Sequence, residues 1–216
     1  MLNPVVASPS RWTASTPDLL ALVYSLVLAW FLRWEVKDLV WSLWLASLLV
    51  GYLTIILTIF GPGVRMAKAT ENRMVAALPL VGGLFMLAFF TVHFGGFHFV
   101  HSVFLNGFFP ATDARSRGFP GVATYLEVLK TYWPFVLGAA VSERQNLMRA
   151  MEKTNPMGPY QNVIRMHLLI FFFAGAAALK LDSFLVYAVV LGVYFFPFKL
   201  LLAKRPPVTE NNTAPG

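Results

Sequence analysis

The stretch that decides the fold is Met74–Phe109, MVAALPLVGGLFMLAFFTVHFGGFHFVHSVFLNGFF. Across these 36 positions there is no Asp, Glu, Lys or Arg. As one helix the stretch would measure about 54 Å, against a bilayer hydrocarbon core of about 30 Å. It therefore either forms one long helix that projects from the membrane or bends near Gly95-Gly96. A hairpin at the glycines would leave two spans too short to cross, so the expectation is a single long helix with lipid as its solvent.

Apolar runs lie on both sides of it. Thr16-Pro17-Asp18 has the form of a helix start, with Thr16 as N-cap and Pro17 at the first helical position, and the apolar run Leu19 to Leu32 follows. Arg33, Glu35, Lys37 and Asp38 make a polar turn, in which the two acids can accept from Arg33 or Lys37 or cap the next helix. That helix runs from Leu39 to Phe60, and Gly61-Pro62-Gly63 is expected to stop it. Beyond the long stretch, Pro110 to Gly121 reads as a loop and Val122 to Val141 as a fourth span, which holds Pro134 and a possible Glu127–Lys130 pair on one face. A polar, amphipathic segment from Glu143 to Pro159 precedes two further spans, Tyr160 to Leu179 and Ser183 to about Ala203. The expected organisation is an N-terminal segment 1–18, a bundle 19–205 and a disordered tail 206–216. The fold class is all-α, a polytopic membrane helix bundle of about six transmembrane helices.

Composition agrees. Hydrophobic residues make up 57% of the chain and charged residues 12%, where a soluble domain carries about 25% charged residues. The formal net charge of +7 sits in short clusters between apolar runs, which fits anionic lipid headgroups and not nucleic acid. Cysteine is absent, which excludes disulfides, thiolate metal sites and cysteine nucleophiles. No signal peptide is expected ahead of the first span. With six spans, eleven basic residues fall on the side of the termini and six on the other, so both termini are expected in the cytoplasm.

All four histidines lie in apolar runs: His93, His98 and His101 in the long stretch, and His167 near the start of the fifth span. Ionisable groups in spans usually face the bundle interior. Around an ideal helix His98 lies about 140° and His101 about 80° from His93, so the three fit one broad inward face. Gly95 and Gly96 among them would admit a close neighbour. The four are candidate metal ligands, and His93, His101 and His167 are candidate ligand-binding residues; a metal or haem is the cofactor class this implies. His98 and His101, about 4.5 Å apart along the axis, could chelate together, whereas His93 and His101 are about 12 Å apart. Depth along the helices makes His93 and His167 expected neighbours and puts His101 in an outer layer near Glu35 and Asp38. The bland alternative is that each histidine hydrogen-bonds a neighbouring helix and nothing more. Serines such as Ser47 and Ser102 lie in spans, but there is no Gly-x-Ser-x-Gly, phosphate loop, metalloprotease motif or pair of catalytic carboxylates, and an enzyme is the least favoured reading.

His93-Phe94-Gly95-Gly96-Phe97 followed by His101-Ser102-Val103-Phe104, Pro159-Tyr160-Gln161-Asn162 followed by Met166-His167, Trp44-Leu45-Ala46-Ser47 with Gly51, and Lys199 together resemble a family of uncharacterised bacterial multi-pass membrane proteins, a domain of unknown function. The likeness covers roughly Trp44 to Lys199. It implies a helical bundle in a bacterial inner membrane and singles out His93, His101 and His167. Where the family carries an acid, an amide and an arginine, this chain has Ala46, Ser47 and Asn162. The functional expectation is a membrane protein that binds a metal, haem or small ligand at a buried histidine face. The alternatives are a structural or accessory subunit of a membrane complex and, third, an intramembrane enzyme.

Overall fold

The computed structural model describes residues 11–70, 72–111, 119–152, 164, 168, 171–172, 175 and 184–195. Among these residues every regular element is helical: α1 (Arg11–Phe31), α2 (Val36–Ala69), α3 (Arg73–Phe90), a π-helical turn (Thr91–Gly95), α4 (Gly96–Phe108), α5 (Val122–Ser142), α6 (Arg144–Glu152) and α7 (Phe184–Phe195). Two stretches, Val36–Ala69 and Ala77–Phe108, are long and apolar enough to cross a membrane, and Thr16–Phe31 is a shorter apolar helix. The fifth expected span lies outside the described residues apart from Ile164, Leu168, Phe171, Phe172 and Gly175, which are helical. The tail and His167 also lie outside them.

Helix α1 begins at Arg11, ahead of the expected start at Thr16. Pro17 sits within it, beyond the first turn, where it withholds one backbone hydrogen bond. The other end is closed by backbone geometry. The Trp34 N–H donates to the Ala29 carbonyl at 3.0 Å and the Arg33 N–H to the Trp30 carbonyl at 3.2 Å, with Arg33 at φ 49°. This is the paired Schellman closure, made here by an arginine in the left-handed region that glycine usually occupies. Trp34 is buried beneath Tyr132 and Phe135, with ring centroids 5.8 and 5.7 Å away.

Helix α2 starts at Val36 behind a capping box, as the two acids of the turn allow: Glu35 and Asp38 serve each other's backbone N–H, and Glu35 N–H donates to Asp38 Oδ2 at 2.8 Å. Lys37 pairs with Glu35 at 3.2 Å. Gly61-Pro62-Gly63 does not end α2, which continues to Ala69. Tight packing explains the difference. A Cβ on Gly61 would stand 2.9 Å from the Met151 Cα, and one on Gly63 would stand 3.2 Å from the Pro79 Cβ. The small residues let α6 and α3 close on α2, and that contact offsets the one hydrogen bond Pro62 withholds. Helix α2 is the hub, in contact with α3, α4, α5 and α6, while α1 packs on α5 and α7. Every residue from Leu39 to Ser47 is buried.

The long stretch is one helix, as expected, with the π turn as its only irregularity. Phe90, Phe94, His98, Ser102 and Asn106, one every four positions, form its inward row, with Leu105 buried beside the last of them. In an ideal helix each step of four drifts by about 40°. The π turn, hydrogen-bonded one residue wider, takes up part of that drift and keeps the row against α2.

Candidate functional site

The row of α4 meets α2 at a small polar centre inside an aromatic shell. His98 is 1% exposed and Ser47, across the interface, is 4% exposed. His98 Nδ1 donates to the Phe94 carbonyl one turn back, at 3.0 Å. A carbonyl can only accept, so this contact fixes the tautomer and leaves the Nε2 lone pair to take the Ser47 hydroxyl at 3.3 Å. The Trp44 indole N–H donates to the His98 carbonyl at 3.0 Å. Around the imidazole stand Phe94 at 4.3 Å, Trp44 at 6.3 Å and Phe97 at 6.4 Å, centroid to centroid.

Helix α5 closes the third side. Tyr125 stacks on Trp44 with centroids 5.9 Å apart and planes 19° apart. Its hydroxyl shares a hydrogen bond with Ser102 Oγ at 2.7 Å, and Ser102 also donates to the Phe99 carbonyl at 2.6 Å. One turn towards the N-terminus of α2, the Trp41 N–H donates to the Phe109 carbonyl at 2.7 Å. Nearer that terminus, the Tyr132 hydroxyl donates to Asp38 Oδ1 at 2.7 Å. Three helices are thus joined by a ladder of indole, hydroxyl and imidazole groups, each satisfied where burial would otherwise penalise it.

Hydroxyl, imidazole and orienting carbonyl stand in the order of a nucleophile, its base and the group that aims the base. Neither Ser47 nor His98 is within reach of a solute, and three aromatic rings pack round the imidazole. The arrangement holds helices together.

The other histidines do not join this centre. His93, expected to face inward, is exposed and stacks flat on Phe89, 5.9 Å away and 4° from parallel. It precedes Phe94 by one position, about 100° round the helix, and Phe94 takes the inward place. His101 is half-buried, with Nδ1 on the Phe97 carbonyl at 2.8 Å and its ring 4.4 Å from Phe97. Its expected acidic partners are engaged elsewhere, Glu35 with Lys37 and Asp38 with Tyr132. The single broad histidine face is therefore not formed, and among the described residues no three His, Cys, Asp or Glu side chains gather as a metal site requires. The expected contact between His93 and His167 falls on a residue outside the described set.

The residues the histidine reading passed over are Phe94, Tyr125 and Asn106. His98, Ser102 and Asn106 recur at intervals of four in an otherwise apolar run, and that spacing alone marks the inner face. Ser47 stands where the resembled family carries an amide, and it is His98 that it contacts.

No curated protein and no solved structure matches the chain. A family model described as "Family of unknown function (DUF6498)" matches residues 5–203, nearly all of the 216. The histidine, tryptophan and proline-tyrosine stretches pointed to a family of unknown function, and the chain belongs to this one.

Proposed function

We propose that this chain is a multi-pass membrane protein with a structural or accessory role, its buried histidine serving as a tie between helices and not as a ligand to a metal or haem. One observation carries the membrane part. The stretch Ala77–Phe108 has a mean hydropathy of 1.9 over its most apolar window, yet only 17% of that window is buried inside the protein. The core helix of a soluble protein would be mostly covered. Here Leu84, Phe85, Phe89, Val92, Phe104 and Phe108 are all exposed, on a helix without an acid or a lysine. Acyl chains are the solvent that such a surface fits.

The accessory role rests on the centre just described, where both nitrogens of His98 are committed within the protein. On this reading the chain has about six spans, lies in a bacterial inner membrane with both termini in the cytoplasm, and associates with other membrane subunits. The test is extraction of membranes with alkaline carbonate, followed by metal and visible-absorbance analysis of the detergent-purified protein. Retention in the pellet and no stoichiometric metal or haem is the expected result. Release by carbonate would refute the membrane part, and a stoichiometric metal or haem would refute the accessory part.

A further inference from the structure

Away from the histidine centre, the far end of α2 and the adjoining face of α6 present an arrangement that the helix-tying role does not use. Gly61 abuts the Met151 backbone, and the Arg65 guanidinium donates to the Met151 carbonyl, which clamps the end of α6 across α2. Around this clamp Lys68 and Arg149 are exposed, and so are Val64, Met66, Met148 and Met151. Positions 64–69 and 146–151 contain no acid. Glu152 follows Met151 at the end of α6; of the other acids nearby, Asp18 pairs with Arg144 at 2.5 Å and Glu143 accepts from the Asn146 side-chain amide.

Cations beside exposed methionines and valine are what the border of a bilayer accommodates, with phosphate above and acyl chain below. Length agrees. Val64 lies about 42 Å along α2 from Val36, and a bilayer with its headgroups is about 40–45 Å thick. The opposite end of α2 mixes signs, Glu35 and Asp38 with Arg33 and Lys37, and has no comparable excess of positive charge.

We infer that the α2–α6 corner is a binding surface for anionic phospholipid headgroups, in which Lys68 and Arg149 meet the phosphate while Met66, Met148 and Met151 rest on the acyl chains. Arg65 is the structural clamp that sets the two helices at this spacing. The inference rests on the membrane reading above and adds the lipid class.

The chain has no cysteine, so Met148→Cys supplies one unique site for a fluorophore. The labelled full chain is reconstituted in phosphatidylcholine vesicles with and without phosphatidylglycerol, and quenching by headgroup-labelled copies of each lipid gives their relative occupancy at the label. The unaltered chain should prefer phosphatidylglycerol. Each exposed cation near a membrane surface contributes roughly fivefold, so Lys68→Gln with Arg149→Gln should lower the preference about 25-fold. Arg33→Gln with Lys37→Gln, at the other end, should leave it unchanged. An undiminished preference in the Lys68/Arg149 variant, or no preference in the unaltered chain, overturns the inference while leaving the membrane reading intact. Failure of the chain to enter vesicles at all would refute the membrane reading instead.

Discussion

Adding one methyl group at Gly51 tests how tightly α2 and the α3–α4 helix are joined. A Cβ there would stand 2.4 Å from Phe94 Cζ, with 3.4 Å the lower edge of ordinary contact, so the ring has to retreat by about 1 Å. It has little room. Phe94 is 1% exposed, its ring lies 4.3 Å from that of His98, and Tyr52 stands edge-on at 5.5 Å. Overpacking of this kind costs about 1–3 kcal/mol, and the better helix propensity of alanine returns about 1 kcal/mol. Gly51→Ala should therefore destabilise by about 1 kcal/mol net. Gly96→Ala is the matched control: nothing lies within 4 Å of its Cβ, so only the propensity gain applies, about 1 kcal/mol of stabilisation. Unfolding in mixed micelles, followed by tryptophan fluorescence, measures both. Phe94→Leu, which removes the clashing ring, should recover part of the Gly51→Ala loss, a coupling visible in a double-mutant cycle. If Gly51→Ala is as stable as Gly96→Ala and shows no coupling to Phe94→Leu, the packing described for this interface is wrong.

Other perturbations address separate features. Arg33→Gly relieves a left-handed residue at the end of α1 and should stabilise the protein by about 1 kcal/mol in the same unfolding assay. Tyr132→Phe removes the donor to Asp38 Oδ1 and should cost about 1.5 kcal/mol, with helix content by circular dichroism unchanged because Asp38 Oδ2 still caps α2. Ser47→Ala should cost about 0.6 kcal/mol, the usual worth of a hydrogen bond between membrane helices. His98→Ala should cost about 3 kcal/mol through the void it leaves, and Ser47→Ala should add little in that background.

Much of the fold is written in local chemistry. The absence of charge from 74 to 109 is enough to expect one long helix there. Glu35 and Asp38, three apart ahead of an apolar run, leave capping open as one role for the turn, and the structure takes it, starting α2 at Val36 and not at Leu39. The ends of α5 were also legible, since Gly121 and Glu143 bracket an apolar run even with Pro134 inside it. What could not be read locally depends on tertiary contact. Gly61-Pro62-Gly63 carries every sign of a helix stop, and only the approach of Met151 and Pro79 shows why it is not one. The histidines misled for a related reason. Polarity suggested that His93 and His101 belong inside, but the inner row is set by which residues face α2, and there Phe94 and Ser102 displace them by one position each. A π turn, which shifts the phase of a helix partway along it, has no reliable signature in a single sequence.

The central claim is that the outer face of the α3–α4 helix lies in lipid and its inner row lies within the bundle. Single cysteines at Val92, Phe104 and Ser102, spin-labelled in reconstituted vesicles, test it through collision with oxygen, which dissolves in the bilayer, and with a nickel chelate, which stays in water. Labels at Val92 and Phe104, both exposed, should respond strongly to oxygen and hardly at all to nickel. A label at Ser102, 0% exposed between α4 and α5, should respond to neither. Strong nickel contact at Val92 and Phe104 would put that face in water and contradict the membrane reading.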